Sequence, residues 1–110
     1  MARANNALQG TLDLLALKCL AQLGSMHGFG IALHIQQVSN ELLRIEEGSL
    51  YPALRRIEQE GWIKSEWKTT ENNRRAKYYR LTPPGRAQLA DEERNWAQIV
   101  KGVAAVLRYA

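Results

Sequence analysis

The spacing of apolar residues changes along the chain, and each change marks an element. In "LQGTLDLLALKCLAQL", Leu8, Leu12, Leu15, Cys19 and Leu23 form one stripe at helical spacing, and Leu14, Leu17 and Ala21 form a second roughly opposite. A helix apolar on two faces is buried on two sides, and Gly24 ends it. "HGFGIALHIQQVS" sets Ile31, Ile35 and Val38 on one face of a second helix. A third is expected over 49–60, with Leu50, Leu54 and Ile57 at i, i+4 and i+7 and Gly61 as its stop. The last two are joined by a short connection through Ile45, which matches a helix-turn-helix.

After Gly61 the period falls to two. "WIKSEWKT" alternates Ile63, Ser65 and Trp67 with Lys64, Glu66 and Lys68, and "AKYYRLT" alternates Tyr79 and Leu81 with Tyr78 and Arg80. The polar "TENNRR" between them supplies Asn72 and Asn73 for a reversal. A β-hairpin therefore follows three helices, the order of a winged helix-turn-helix. "TPPG" then opens a long final helix, with Thr82 as cap and prolines where no backbone donor is missed. Leu89, Trp96 and Val103 lie seven apart, and Ile99 and Val106 fill the alternate heptad positions. This is a coiled-coil seam, weakened at Glu92.

The expected fold is mainly α with one small β-hairpin: a winged helix-turn-helix domain over 1–82 and a C-terminal dimerisation helix over 83–110. A lone helix beyond a compact domain cannot bury its own stripe. Leu8, Leu12, Leu89, Trp96, Ile99, Val103 and Val106 are therefore the expected dimerisation residues, with the first helix also packing in the dimer.

Pro52 interrupts the third helix in pattern but not in physics, provided that Gly48 or Ser49 caps it. The first four helical N–H groups lack acceptors, so a first-turn proline loses nothing, and Ser49 could bond the free amide of Tyr51. With Leu50 inward, Pro52, Arg55, Arg56 and Gln59 point outward and Tyr51 stands on the flank. Such a polar, arginine-bearing face suits a helix entering a DNA major groove.

Charge sharpens this picture. The 110-residue chain carries a net +4. Residues 68–80 alone hold Lys68, Arg74, Arg75, Lys77 and Arg80 against Glu71, the same excess. A positive patch concentrated on one hairpin suits a polyanion, although a solvated, basic sheet edge would also look this way.

"HGFGIALHI", "EEGSLYPALRRIEQEGWI" and "NNRRAKYYRLTPPG", in this order and spacing, resemble the PadR family of bacterial transcriptional regulators, over about Leu8 to Leu107. The opening "LQGTLDLLAL" and the single closing helix resemble its short subgroup. The resemblance implies a homodimeric repressor on double-stranded DNA. Ser49, Tyr51, Pro52 and Arg55, with Arg56 beside them, would lie on the recognition helix, and Arg74, Arg75 and Lys77 on the basic wing. Trp96 is similar in position to a tryptophan that stacks on planar aromatic effectors in relatives. It is a candidate contact for a planar hydrophobic small molecule, against the plainer reading of seam packing.

Other classes find less support. His27 and His34 lack metal-site spacing and neighbouring carboxylates, and Gly24, Gly28 and Gly30 lack the strand and lysine of a phosphate loop. No enzyme, cofactor or metal is expected. The alternative is a winged-helix protein-interaction module that never touches DNA; such modules usually lose the basic wing and outward arginines. The chain has no apolar run of about eighteen residues, and "MARANNALQG" lacks a signal-peptide layout. Its single cysteine, Cys19, suits a reducing compartment. The expected location is the bacterial cytoplasm, at the nucleoid, with no membrane partner.

Overall fold

A computed structural model describes the backbone of residues 3–109 and the side chains of residues 11–109. The order is α1 (Arg3–Leu23), β1 (Ser25–His27), α2 (Gly28–Val38), α3 (Glu47–Gln59), β2 (Ile63–Thr69), β3 (Arg75–Leu81) and α4 (Pro83–Arg108). The predicted winged helix-turn-helix and long final helix are present. Leu8, expected at the dimer contact, lies outside the residues whose side chains are described.

The strand β1 was not expected, because three residues are too few to show a period. Its partner makes it a strand: β3 lies between β1 and β2 in an antiparallel sheet, pairing Met26 with Tyr79 and Ser65 with Tyr79 from the two sides. A strand does therefore precede Gly28, contrary to the sequence reading, but it is the edge of the wing sheet. Between β2 and β3, Asn73 N–H donates to Thr70 O at 2.9 Å and Thr70 N–H to Arg74 O at 2.6 Å. This is a three-residue hairpin loop whose last position is left-handed. Asn73 occupies it at φ 60°, a conformation asparagine tolerates.

The helices pack around α1. Leu17, Leu20, Ile31, Leu50, Leu54, Ile57 and Ile63 are essentially inaccessible, so α1, α2, α3 and β2 share one core. The doubly apolar α1 meets α2 and α3 and also α4 of its own chain, while Leu12 and Leu15 remain only partly buried. On α4, Gly85 and Leu89 are buried. Leu89, assigned from the heptad to the dimer seam, instead packs in this core, because the first turns of α4 lie against the winged unit. The predicted boundary at 82/83 accordingly falls inside a packed unit.

The start of α3 also differs from expectation. Glu46 is the N-cap, without a side-chain cap bond, and Glu47 is the first helical residue. Ser49 thus lies within the first turn, and Pro52 sits inside the helix, past the four free donors. Its missing N–H deprives the Gly48 carbonyl of a helical partner. Both residues are exposed, so water can serve that carbonyl. At the other end, Gly61 N–H donates to Glu58 O at 2.9 Å and Trp62 N–H to Ile57 O at 3.1 Å, with Gly61 at φ 82°. This is a Schellman stop.

One buried hydroxyl ties three elements together. Thr82 Oγ1 donates to Gly61 O at 2.7 Å and accepts from Gly85 N–H at 3.1 Å, joining the end of α3 to the cap of α4. A Cβ on Gly85 would lie 1.9 Å from Trp62 O, so the lead-in to β2 and the start of α4 touch backbone to backbone. Thr82→Val keeps the shape and loses both bonds. It is expected to cost about 1–3 kcal/mol in urea unfolding, and Gly85→Ala more; an unchanged midpoint for either refutes the junction.

Candidate nucleic-acid interface

α3 must bury Leu50, Ala53, Leu54 and Ile57, and this fixes its opposite face. Ser49, Tyr51, Pro52, Arg55 and Gln59 are exposed there. Beside it, the β2–β3 hairpin turns one face toward α3. Glu58 holds the two together: Ser65 Oγ donates to its Oε2 at 2.5 Å, and Lys77 Nζ lies 3.7 Å from its Oε1. A cleft of about 550 Å³ lies between them, lined by His27, Gly28, Phe29, Tyr51, Trp67, Arg74, Arg75 and Lys77 among others. The start of α2, the start of α3 and the wing therefore open onto one concavity.

Tyr51 is seated by what Gly28 lacks. A Cβ at Gly28 would fall 2.6 Å from the Tyr51 ring, so the ring lies against the first turn of α2. Burial, with Glu47 nearby, pushes the Tyr51 hydroxyl above its ordinary pKa, keeping it a neutral donor and acceptor. Burial does the same to Tyr79, helped by Glu58 and Tyr51 and opposed by Arg55. His27 Nδ1 accepts from Gly30 N–H at 3.0 Å and caps α2, while its ring stands edge-on to Tyr78 at 5.1 Å.

The structure divides the predicted cations. Arg55, Arg74 and Arg75 are exposed and, among the described residues, form no ion pair with a carboxylate. Arg56 differs from expectation: its guanidinium donates to Asp13 Oδ1 of α1 at 2.5 Å, with the carboxylate side chain only 12% exposed. Helical spacing rotates Arg56 one position around from Arg55, toward α1, and Asp13 supplies the charge that holds it there. Lys77 is shared with Glu58. Trp67 and Phe29, exposed at the cleft, were given no role from sequence. Trp67 read only as an alternating strand residue, and nothing local marks which strand face meets α3.

Residues 16–91 match the model of the "Transcriptional regulator PadR-like family". The chain belongs to the PadR-like family. A transcriptional regulator of Clostridium thermocellum is 31% identical and superposes with TM-score 0.78, covering 94% of this chain and 96% of that one. A PadR family transcription regulator of Clostridium difficile R20291 is also 31% identical, with TM-score 0.70 over 87% and 97% of the two chains. Transcriptional regulator Rv3488 of Mycobacterium tuberculosis is 35% identical over 62% of this chain and 63% of its own length. This PadR-like regulator has no helix, among its described residues, long and apolar enough to cross a membrane. Nor do those residues include a group of three His, Cys, Asp or Glu able to hold a metal.

The Asp13–Arg56 pair has a distinct pH signature. Burial raises the Asp13 pKa from its ordinary 3.8, and the Arg56 hydrogen bond and charge oppose that rise. A raised carboxylate favours the folded state when protonated, so the advantage is complete below the unfolded pKa and lost as pH rises through the folded one. Arg56→Ala leaves the ionised carboxylate unpaired at neutral pH, costing about 1–3 kcal/mol, and this penalty shrinks as pH falls through the carboxylate range. Arg55→Ala should leave denaturant stability unchanged; equal losses for the two variants at neutral pH would remove the distinction.

Proposed function

We propose that the chain is a homodimeric repressor that docks α3 in the major groove of an inverted-repeat operator and lays its wing along the flanking backbone. The observation that carries this reading is the grouping of exposed Arg74 and Arg75 in the cleft beside Tyr51, with exposed Arg55 one turn further along α3. Ser49, Tyr51, Pro52 and Arg55 form the groove-facing surface. Arg55 can bond guanine edges or phosphate, while Arg74 and Arg75 contact phosphates or a narrow minor groove. Arg56 acts indirectly, by fixing α3 against α1. Lys77 adds positive charge while bracing the wing through Glu58. Acting on the chromosome, such a regulator works in the cytoplasm.

Dimerisation is supported by the far half of α4. Twenty-six residues make a helix about 39 Å long, and beyond Leu89 it carries Trp96, Val100, Val103, Val106 and Leu107 exposed. Ile99 is half-buried on the same stretch. A second copy is the partner that covers this stripe, with Leu12 of α1 at the edge of the contact. Two-fold pairing puts half-sites roughly 34 Å, one helical turn, apart. An effector relieves repression only by binding one separation of the two α3 helices better than another. Trp96, 41% exposed on the stripe, is the side chain that a planar apolar effector would meet.

Two measurements test this reading. In duplex titrations from low to high salt, Arg74→Ala should reduce the log–log slope by about 1.8, one phosphate contact from each protomer, and Arg55→Ala should relax base preference at one position of each half-site. Salt-independent binding, or none, favours a protein-interaction module instead. In sedimentation, Trp96→Glu and Val103→Glu should each shift the protein to monomer; variants that associate like the parent refute the seam.

A further inference from the structure

The wing carries two cations on aromatic rings. Arg75 lies over Trp67 and Lys68 over Tyr78, each 5.3 Å from the ring centroid. The two pairs use opposite faces of the hairpin. Register sets Ser65 opposite Tyr79, Trp67 opposite Lys77 and Thr69 opposite Arg75. Trp67 and Arg75 therefore share the face that Ser65 and Lys77 turn toward Glu58 of α3. Lys68 and Tyr78 share the other face with Glu66, whose carboxylate lies 3.7 Å from Lys68.

Arg75 differs from its neighbours in how it is held. Lys77 has Glu58 and Lys68 has Glu66, whereas Arg75 has, among the described residues, the indole alone. A ring attracts a guanidinium through its quadrupole without neutralising it. The cation is thus oriented and its full charge stays available, which a carboxylate partner would not allow. Trp67 is 58% exposed and contributes little to the core, so packing does not account for the indole. An arginine already ordered before contact loses less freedom on binding.

We infer that Trp67 is a positioning residue, holding Arg75 over the cleft-side face of the wing for a DNA phosphate or minor-groove edge. This rests on the DNA-binding reading above. The test is a double-mutant cycle on the full-length chain: parent, Trp67→Ala, Arg75→Ala and the double variant. Each is titrated with a labelled random-sequence duplex about three helical turns long, since phosphate contacts are sequence-independent. Trp67→Ala should weaken binding about two- to fivefold, with an unchanged melting temperature and a shallower salt dependence. Trp67→Phe should restore most of the loss, and Trp67→Ala should add nothing once Arg75 is gone.

Multiplicative losses in the double variant would mean that Trp67 meets DNA on its own, overturning the inference. Parent-like affinity for Trp67→Ala overturns it as well. So does a loss that tracks a lower melting temperature and is not restored by phenylalanine, which is the structural outcome. A parent that ignores the duplex at low salt overturns the DNA-binding reading and this inference together; all the other failures sink this one alone.

Discussion

Burial of one side of α3 governs the rest of the molecule. Leu50, Leu54 and Ile57 are fully inaccessible against α1 and α2, and a helix turning 100° per residue then has its opposite face assigned. Ser49, Pro52, Arg55 and Gln59 face outward because four apolar residues of the same helix face inward. Burying leucines and isoleucines contributes roughly 1.5–3 kcal/mol apiece before entropy is set against it. Rotating α3 to present another face would give up several of these contributions at once. The outward face thus inherits its rigidity from the core beneath it.

Polar contacts complete what the core begins. Glu58 braces the wing through Ser65 and Lys77, Thr82 joins the end of α3 to the start of α4, and Arg56 fastens α3 to Asp13 of α1. Each is made by a side chain at the edge of the apolar core, where partial desolvation strengthens it without the full cost of burying a charge. Their joint effect is geometric: they set where the wing, α1 and the start of α4 lie relative to α3. The cleft is framed by the Glu58 brace to the wing and by the Tyr51 ring against Gly28 at the start of α2.

The far end of α4 obeys a different rule. Its early turns are spent on the chain's own core through Gly85 and Leu89, and Lys18 on α1 meets Glu93 at 2.9 Å. Beyond that point the helix is mostly exposed, and the molecule as a whole measures 58 Å by 29 by 24 Å. One helix therefore meets two environments: Leu89 is taken up by the chain's own core, while Trp96, Val103 and Val106 stay exposed.

Much of this was legible from residue order alone. Helical and strand periods separated the elements, Asn73 marked the hairpin reversal, and the outward position of Arg55 followed from Leu50 and Leu54 by angle. These are local properties, set by dihedral preference and by the period of side chains along a backbone. What lay beyond sequence was pairing across distance. β1 is a strand only because β3 hydrogen-bonds to it. Leu89 joins the core because α4 packs on its own winged unit. Arg56 is diverted by Asp13, 43 residues away in sequence, and Trp67 meets Arg75 because the hairpin register sets both on one face. Periodicity says which side of an element is apolar, whereas only the folded chain decides what each polar side chain finds when it gets there.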